Sequence, residues 1–151
     1  MNKAPNFSLH NQFDETVSLS DYAGKWLIVY FYPKDDTPGC TAEACSVRDE
    51  YDYLMDKGLN VVGISKDTVA SHKRFAEKYK LNFPILADPE HAVIEAYGAW
   101  GPKKFLGKEY IGTSRASFLI DPEGNIAKEY PKVTPKTHIS EILKDFSLLK
   151  P

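Results

Sequence analysis

Apolar positions along this chain come in two arrangements, unbroken short runs and single residues at helical spacing. Residues 26–32, "WLIVYFY", are apolar throughout, as a strand covered on both faces must be. "LNVVGIS" (59–65) repeats that pattern, and "FPILAD" (83–88) adds a further strand. Between these runs the spacing turns helical. From Cys40, the positions Ala44, Val47, Tyr51 and Leu54 share one face, and Gly58 stops the run. Val69, His72, Ala76 and Tyr79 mark a second helix, and "HAVIEAYG" a short third one ended by Gly98. "NFSL" and "TVSL" flank the polar "HNQFDE" and pair as an N-terminal hairpin. "ASFLIDPEGNIAKEY" sets two strand-like arms around the turn "DPEGN". Thr134 as N-cap and Pro135 at the first helical position open a last helix, with Ile139, Ile142, Leu143 and Phe146 as its buried stripe.

Strands separated by helices, then a hairpin and a closing helix, predict an α/β fold: a three-layer sandwich with a mixed central sheet and an N-terminal hairpin extension. That is the element order of a thioredoxin-like fold. No repeat or linker interrupts it, so residues 1–151 read as one domain. The composition, 42% hydrophobic and 26% charged, is ordinary for a globular chain. A net charge of -2 gives no general attraction to nucleic acid or to anionic membranes. The N-terminal segment has no apolar core of signal-peptide length, and no run reaches a membrane span. With only two cysteines, Cys40 and Cys45, there is no disulfide framework to read. These features predict a cytoplasmic protein whose thiols are either inert or chemical.

The loop "PKDDTPG" delivers Cys40 to the start of its helix. Unpaired backbone N–H groups and the positive end of the helix dipole favour an anion there, and a thiolate is such an anion. Pro33 and Pro38 stiffen the loop, and Thr37 brings a hydroxyl able to donate to the sulfur or to a bound oxygen. Cys45 lies about 140° round an ideal helix and about 7.5 Å along it. That separation exceeds the reach of a disulfide unless the backbone moves. Either the cysteines never join, or the first turns of the helix unwind. Cys45 falls among Thr41, Arg48 and Asp52, a polar flank and not the apolar stripe. A buried, inert thiol is the competing reading for each cysteine.

"FYPKDDTPGCTAEAC" resembles the active-site segment of the peroxiredoxins, in particular the bacterioferritin-comigratory or peroxiredoxin Q subfamily. It contains the Pro-x-x-x-Thr-x-x-Cys signature as Pro33, Thr37 and Cys40. The resemblance continues through "GLNVVGISKDTVASHKRFAEKYKLNFPILAD", "YGAWGPKKFLGKEYIG" and "SRASFLIDPEGNI", nearly the whole chain. It implies a thiol peroxidase with Cys40 as the peroxidatic cysteine, oxidised to a sulfenic acid, and Cys45 as a resolving cysteine that forms an intramolecular disulfide. It further implies that Thr37 bonds the peroxide, Pro33 shields the thiolate, Arg115 holds the sulfur and polarises the peroxide, and Glu43 orients Arg115. Thioredoxin or a similar dithiol is the implied reductant, hydroperoxides the substrates, and no metal or other cofactor is called for. Resolution within one helix suits a monomer. Val47 and Ser117 depart from the resemblance, standing where an aromatic and a threonine are common.

Other readings compete. A general thiol-disulfide oxidoreductase would carry the tighter Cys-x-x-Cys spacing. A redox-gated sensor or chaperone would use the same cysteines as a switch. The four histidines, His10, His72, His91 and His138, show no ligand-like spacing and read as surface or packing residues. "GPKKFLGK" reads as a basic, solvated loop, able to steer an acidic reductant.

Overall fold

The computed structural model describes residues 2–135 and 137–149. Its sheet is built on β3 (Trp26–Phe31), β4 (Leu59–Ser65) and β5 (Ile85–Ala87), which run parallel to one another in the order β5-β4-β3. A hairpin of β8 (Ala116–Ile120) and β9 (Ile126–Tyr130) adds to β3 antiparallel. The N-terminal hairpin of β1 (Ser8–His10) and β2 (Thr16–Ser18) joins at the other edge, through His10 beside Ala87. The result is a mixed seven-stranded sheet in the order β2-β1-β5-β4-β3-β8-β9.

Strand β3 explains the layering. Its alternate residues Ile28 and Tyr30, followed by Tyr32, face α1 (Pro38–Asp56), α2 (Val69–Tyr79) and α4 (His138–Leu149). Val47, Phe75, Ile142 and Phe146 belong to that same cluster. Leu27, Val29 and Phe31 face the opposite way, into a second cluster with Phe7, Ile94 of α3 (Ala92–Ala96) and Phe118. A strand with both faces buried has no polar alternation to show, hence the continuous apolar run. The fold is the expected thioredoxin-like one. No helix among the described residues is long and apolar enough to cross a membrane.

Two expectations need correction. "GPKKFLGK" is not an open loop. It belongs to a separate antiparallel hairpin, β6 (Trp100–Phe105) and β7 (Lys108–Thr113). Its two-residue turn, Leu106-Gly107, has positive φ at both positions (52° and 78°), as a tight hairpin turn requires. Leucine is a poor sequence signal for that geometry. The last helix is regular only from His138; the carbonyl of Thr134 closes a turn ahead of it, accepting from the Thr137 and His138 amides at 3.1 and 3.0 Å. The expected cap at Thr134-Pro135 therefore belongs to that turn, and Lys136 lies outside the described residues.

Candidate active site

The loop between β3 and α1 is short and heavily tied. Asp35, almost fully buried, accepts the Tyr32 hydroxyl at 2.7 Å and the Ser71 hydroxyl at 2.8 Å, and lies 2.7 Å from Nδ1 of His72. Its amide donates to Asp67 at 2.9 Å. His72 in turn sets Nε2 against the Leu86 carbonyl at 3.0 Å. Both ring nitrogens thus face oxygens, which locks the ring between Asp35 and the Leu86 carbonyl. Asp36, next along, takes Lys78 and the Tyr79 hydroxyl, each at 2.7 Å. Two adjacent aspartates therefore pin the loop to α2. His72 is not the ordinary packing residue that its sequence position implied.

This tethering sets where α1 begins. Thr37 is its N-cap, Pro38 and Gly39 follow, and Cys40 lies in the first turn, 2% exposed. The sulfur therefore stands among the free amides of the helix start. The Thr37 hydroxyl does not reach the sulfur; it donates to the Lys34 carbonyl at 2.8 Å. Its lone pairs remain available to a hydrogen-bond donor such as a hydroperoxide O–H. Pro33 is half-buried in the same loop.

Arg115, in the two-residue link between β7 and β8, places Nη1 3.5 Å from Cys40 Sγ and 3.5 Å from Glu43 Oε1. Gly39 makes room for this guanidinium: a Cβ there would stand 2.8 Å from Arg115 Nη2. Glu43 is 1% exposed, and its carboxyl is pushed up to about 7 by burial, against the opposing pull of Arg115. Under Glu43 lies His138, whose Nε2 is 2.7 Å from Ser117 Oγ and 3.7 Å from Glu43 Oε2. Burial drives its imidazolium down to about 4, so the ring is neutral at pH 7 and the contact with Glu43 is not an ion pair. Tyr30, from β3, completes the floor. Its phenol is raised well above its ordinary value by burial first, then by Glu43 and Cys40.

Cys45 stays apart. It is half-buried on the uninterrupted α1, both cysteines are free, and the charge of Arg48 is close enough to be felt by its sulfur. Of the residues expected at the site, Cys40, Arg115 and Glu43 are brought together, while Pro33 lies in the preceding loop and Thr37 caps α1. Sequence reasoning missed Asp35, His72 and His138, whose partners are distant along the chain. The double aspartate just before the Thr-Pro-Gly turn was the available signal for the first of these.

A buried sulfur at a helix start, touched by an arginine, is the arrangement of a redox thiol. The AhpC/TSA family matches residues 1–129. Peroxiredoxin Bcp of Bacillus subtilis is 47% identical over 142 residues, spanning 94% of this chain and 90% of that one. Among solved structures, the Xanthomonas campestris bacterioferritin comigratory protein, studied for its alkyl peroxide reduction activity, superposes with a TM-score of 0.88. The two are 32% identical, over 94% of this chain and 90% of that one. A mutant of Xylella fastidiosa PrxQ gives 0.90 at 29% identity, over 98% and 96% of the two chains. The chain belongs to the AhpC/TSA family of peroxiredoxins, within its bacterioferritin-comigratory and peroxiredoxin Q group.

Proposed function

We propose that this protein reduces hydroperoxides through Cys40, with Cys45 resolving the oxidised sulfur and a dithiol such as thioredoxin restoring both. Membership of a peroxidase family supports the reaction class, and the contact between Arg115 and Cys40 at the start of α1 is the observation that carries it. The ionised sulfur attacks one peroxide oxygen. The S–O bond forms as the O–O bond breaks, and the departing alkoxide or hydroxide takes a proton from solvent. Sulfur is oxidised by two electrons and the peroxide is reduced by two. Arg115 carries a fixed positive charge and several donors against the anionic sulfur and the peroxide oxygens. Thr37 accepts the peroxide O–H, Pro33 keeps water from the sulfur, and Glu43 anchors Arg115 from behind.

In the second step the Cys45 sulfur displaces hydroxide from the sulfenic sulfur, and water leaves with the Cys45 proton. The two sulfurs cannot meet while α1 is intact. The first turns of α1 must therefore open. Arg48 sets the limit of that opening. Its Nη1 donates to the Tyr79 carbonyl at 2.7 Å and its own carbonyl accepts from Asn82 at 3.2 Å, fastening the helix to α2 just beyond Cys45. Resolution inside one helix needs no second subunit. The test is turnover. With a thioredoxin system present the chain should consume many equivalents of hydroperoxide, and Cys40→Ser should consume none. Consumption of only about one equivalent per chain would make it a sensor instead.

A further inference from the structure

Beneath the site lie buried polar atoms that the reaction as described does not use. Among the described residues Glu43 Oε2 and His138 Nδ1 have no hydrogen-bond partner, and both side chains are 1% exposed. The tautomer of His138 follows from what each nitrogen faces. Nε2 looks toward two oxygens, Ser117 Oγ at 2.7 Å and Glu43 Oε2 at 3.7 Å, while Nδ1 faces none. A buried N–H without an acceptor costs more than a bare ring nitrogen lone pair, so the single proton of the neutral ring belongs on Nε2. That N–H meets Ser117 Oγ at 2.7 Å, and the free oxygen of Glu43 lies 3.7 Å from the same nitrogen, beyond hydrogen-bond distance but close enough for the N–H dipole to favour the ionised carboxylate.

We propose that His138 is a positioning residue for the peroxidase chemistry: its buried ring, fixed by Ser117, backs the Glu43 carboxylate at 3.7 Å, and that carboxylate holds Arg115 on the Cys40 sulfur. The sequence of contacts runs from α4 across β8 and α1 to the reacting atom. It rests on the peroxidase reading above. It also gives α4 a role besides covering the sheet, and gives Ser117, a hydroxyl two residues after Arg115, a specific partner.

The titratable and charged groups around Glu43 are few. They are Cys40 on its own helix, Arg115 beside β8, Tyr30 from β3 and His138 from α4. Tyr130 of β9 packs edge-on to the far side of His138 with ring centroids 6.2 Å apart. Tyr30 and Tyr130 are both raised above their ordinary range, burial first, and stay neutral. Burial pushes Glu43 up to about 7, so its charge changes near neutral pH. Its ionised form is the one that grips Arg115. Removing the Nε2–H withdraws its dipole from that form, so Glu43 should ionise at higher pH.

The experiment is a stopped-flow measurement of the first oxidation of Cys40 by hydrogen peroxide between pH 5.5 and 9. The proteins are wild type, His138→Phe, His138→Gln and Glu43→Gln, with the double variant His138→Phe/Glu43→Gln. At pH 7, His138→Phe should react roughly three- to tenfold more slowly, the loss of one polar contact weaker than a formed hydrogen bond to a charged group. Its pH inflection should move upward, the deficit should shrink by pH 9, and His138→Gln, which keeps an N–H donor, should recover much of the rate. In the Glu43→Gln background the same substitution should change nothing further, since the route runs through Glu43. An unmoved inflection, or an equal fractional loss in both backgrounds, overturns the proposal. If His138→Phe fails to fold, Ser117→Ala and Ser117→Thr decide: the first should slow the reaction in the same pH-dependent way and the second restore it, and a Ser117→Ala profile matching wild type overturns it. Failure of the wild-type chain to oxidise at all would instead sink the peroxidase reading, which separates the two.

Discussion

Replacing Gly39 with alanine separates the stability of α1 from the placement of Arg115. The new Cβ would stand 2.8 Å from Arg115 Nη2 and 3.3 Å from its Cζ, and ordinary van der Waals contact begins at 3.4 Å. The guanidinium, the free end of a long side chain, must therefore retreat by about 0.6 Å, while the backbone need not move. The helix itself gains up to about 1 kcal/mol, because alanine loses less backbone freedom than glycine on forming a turn. Arg115 now contacts Cys40 and Glu43 at 3.5 Å, so that retreat is enough to loosen both. A misplacement of about 1 Å in a reacting constellation costs about a hundredfold, so half that distance corresponds to roughly tenfold. The prediction is an unchanged or higher urea midpoint, with a rate of Cys40 oxidation by hydrogen peroxide about tenfold lower in stopped flow. Arg115→Lys should be slowed in the same step, since an ammonium cannot reproduce the forked contact. Full peroxidase rate in a well-folded Gly39→Ala would refute the claim that the guanidinium position matters.

Further outcomes follow from the buried charges and the core. Glu43 ionises at about 7 when folded but at 4.5 ordinarily, so the folded chain keeps a proton that the unfolded chain releases. Its contribution therefore weakens stability as pH rises between those values, by roughly 3 kcal/mol in all. His138 opposes it. Held down to about 4 against 6.5, it costs stability as pH falls through that interval. Glu43→Gln should accordingly gain on wild type in urea midpoint between pH 5 and pH 8, and an equal difference at both pH values would contradict the burial argument. Asp35→Asn removes one partner of a buried charged contact and should cost about 3 kcal/mol in urea unfolding; a loss below about 1 kcal/mol would mean that the pair carries no charge. Val47→Ala, at a fully buried position of α1 on the Cys40 face, should cost about 2 kcal/mol. It should also speed disulfide formation after oxidation, because the turns that must open lose part of their anchorage.

Much of the architecture could be read from pattern alone, since burial on both faces gives β3 and β4 unbroken apolar runs and burial on one face gives α1 and α2 helical spacing. The β6–β7 hairpin escaped because Leu106-Gly107 lacks the asparagine or aspartate that usually marks a turn with positive φ. Cys40 was legible because a loop, a proline and a helix start are local features. Arg115 is assigned by resemblance alone; its contact with sulfur depends on β3 and β8 pairing side by side. The links that brace the site, Asp35 with His72 and Glu43 with His138, join residues that only the fold brings together. Thr37 shows a different limit. Its hydroxyl, expected to donate to the sulfur or a bound oxygen, instead donates to the Lys34 carbonyl, a turn contact that residue spacing does not reveal.

The central claim is that the Cys40 sulfur is the atom that meets the peroxide. Cys45→Ser, treated with a single equivalent of hydrogen peroxide and trapped with a sulfenic-acid reagent, should yield one modified peptide in mass spectrometry, the one containing Cys40. Recovery of Cys40 unmodified, with peroxide unconsumed, would contradict the account.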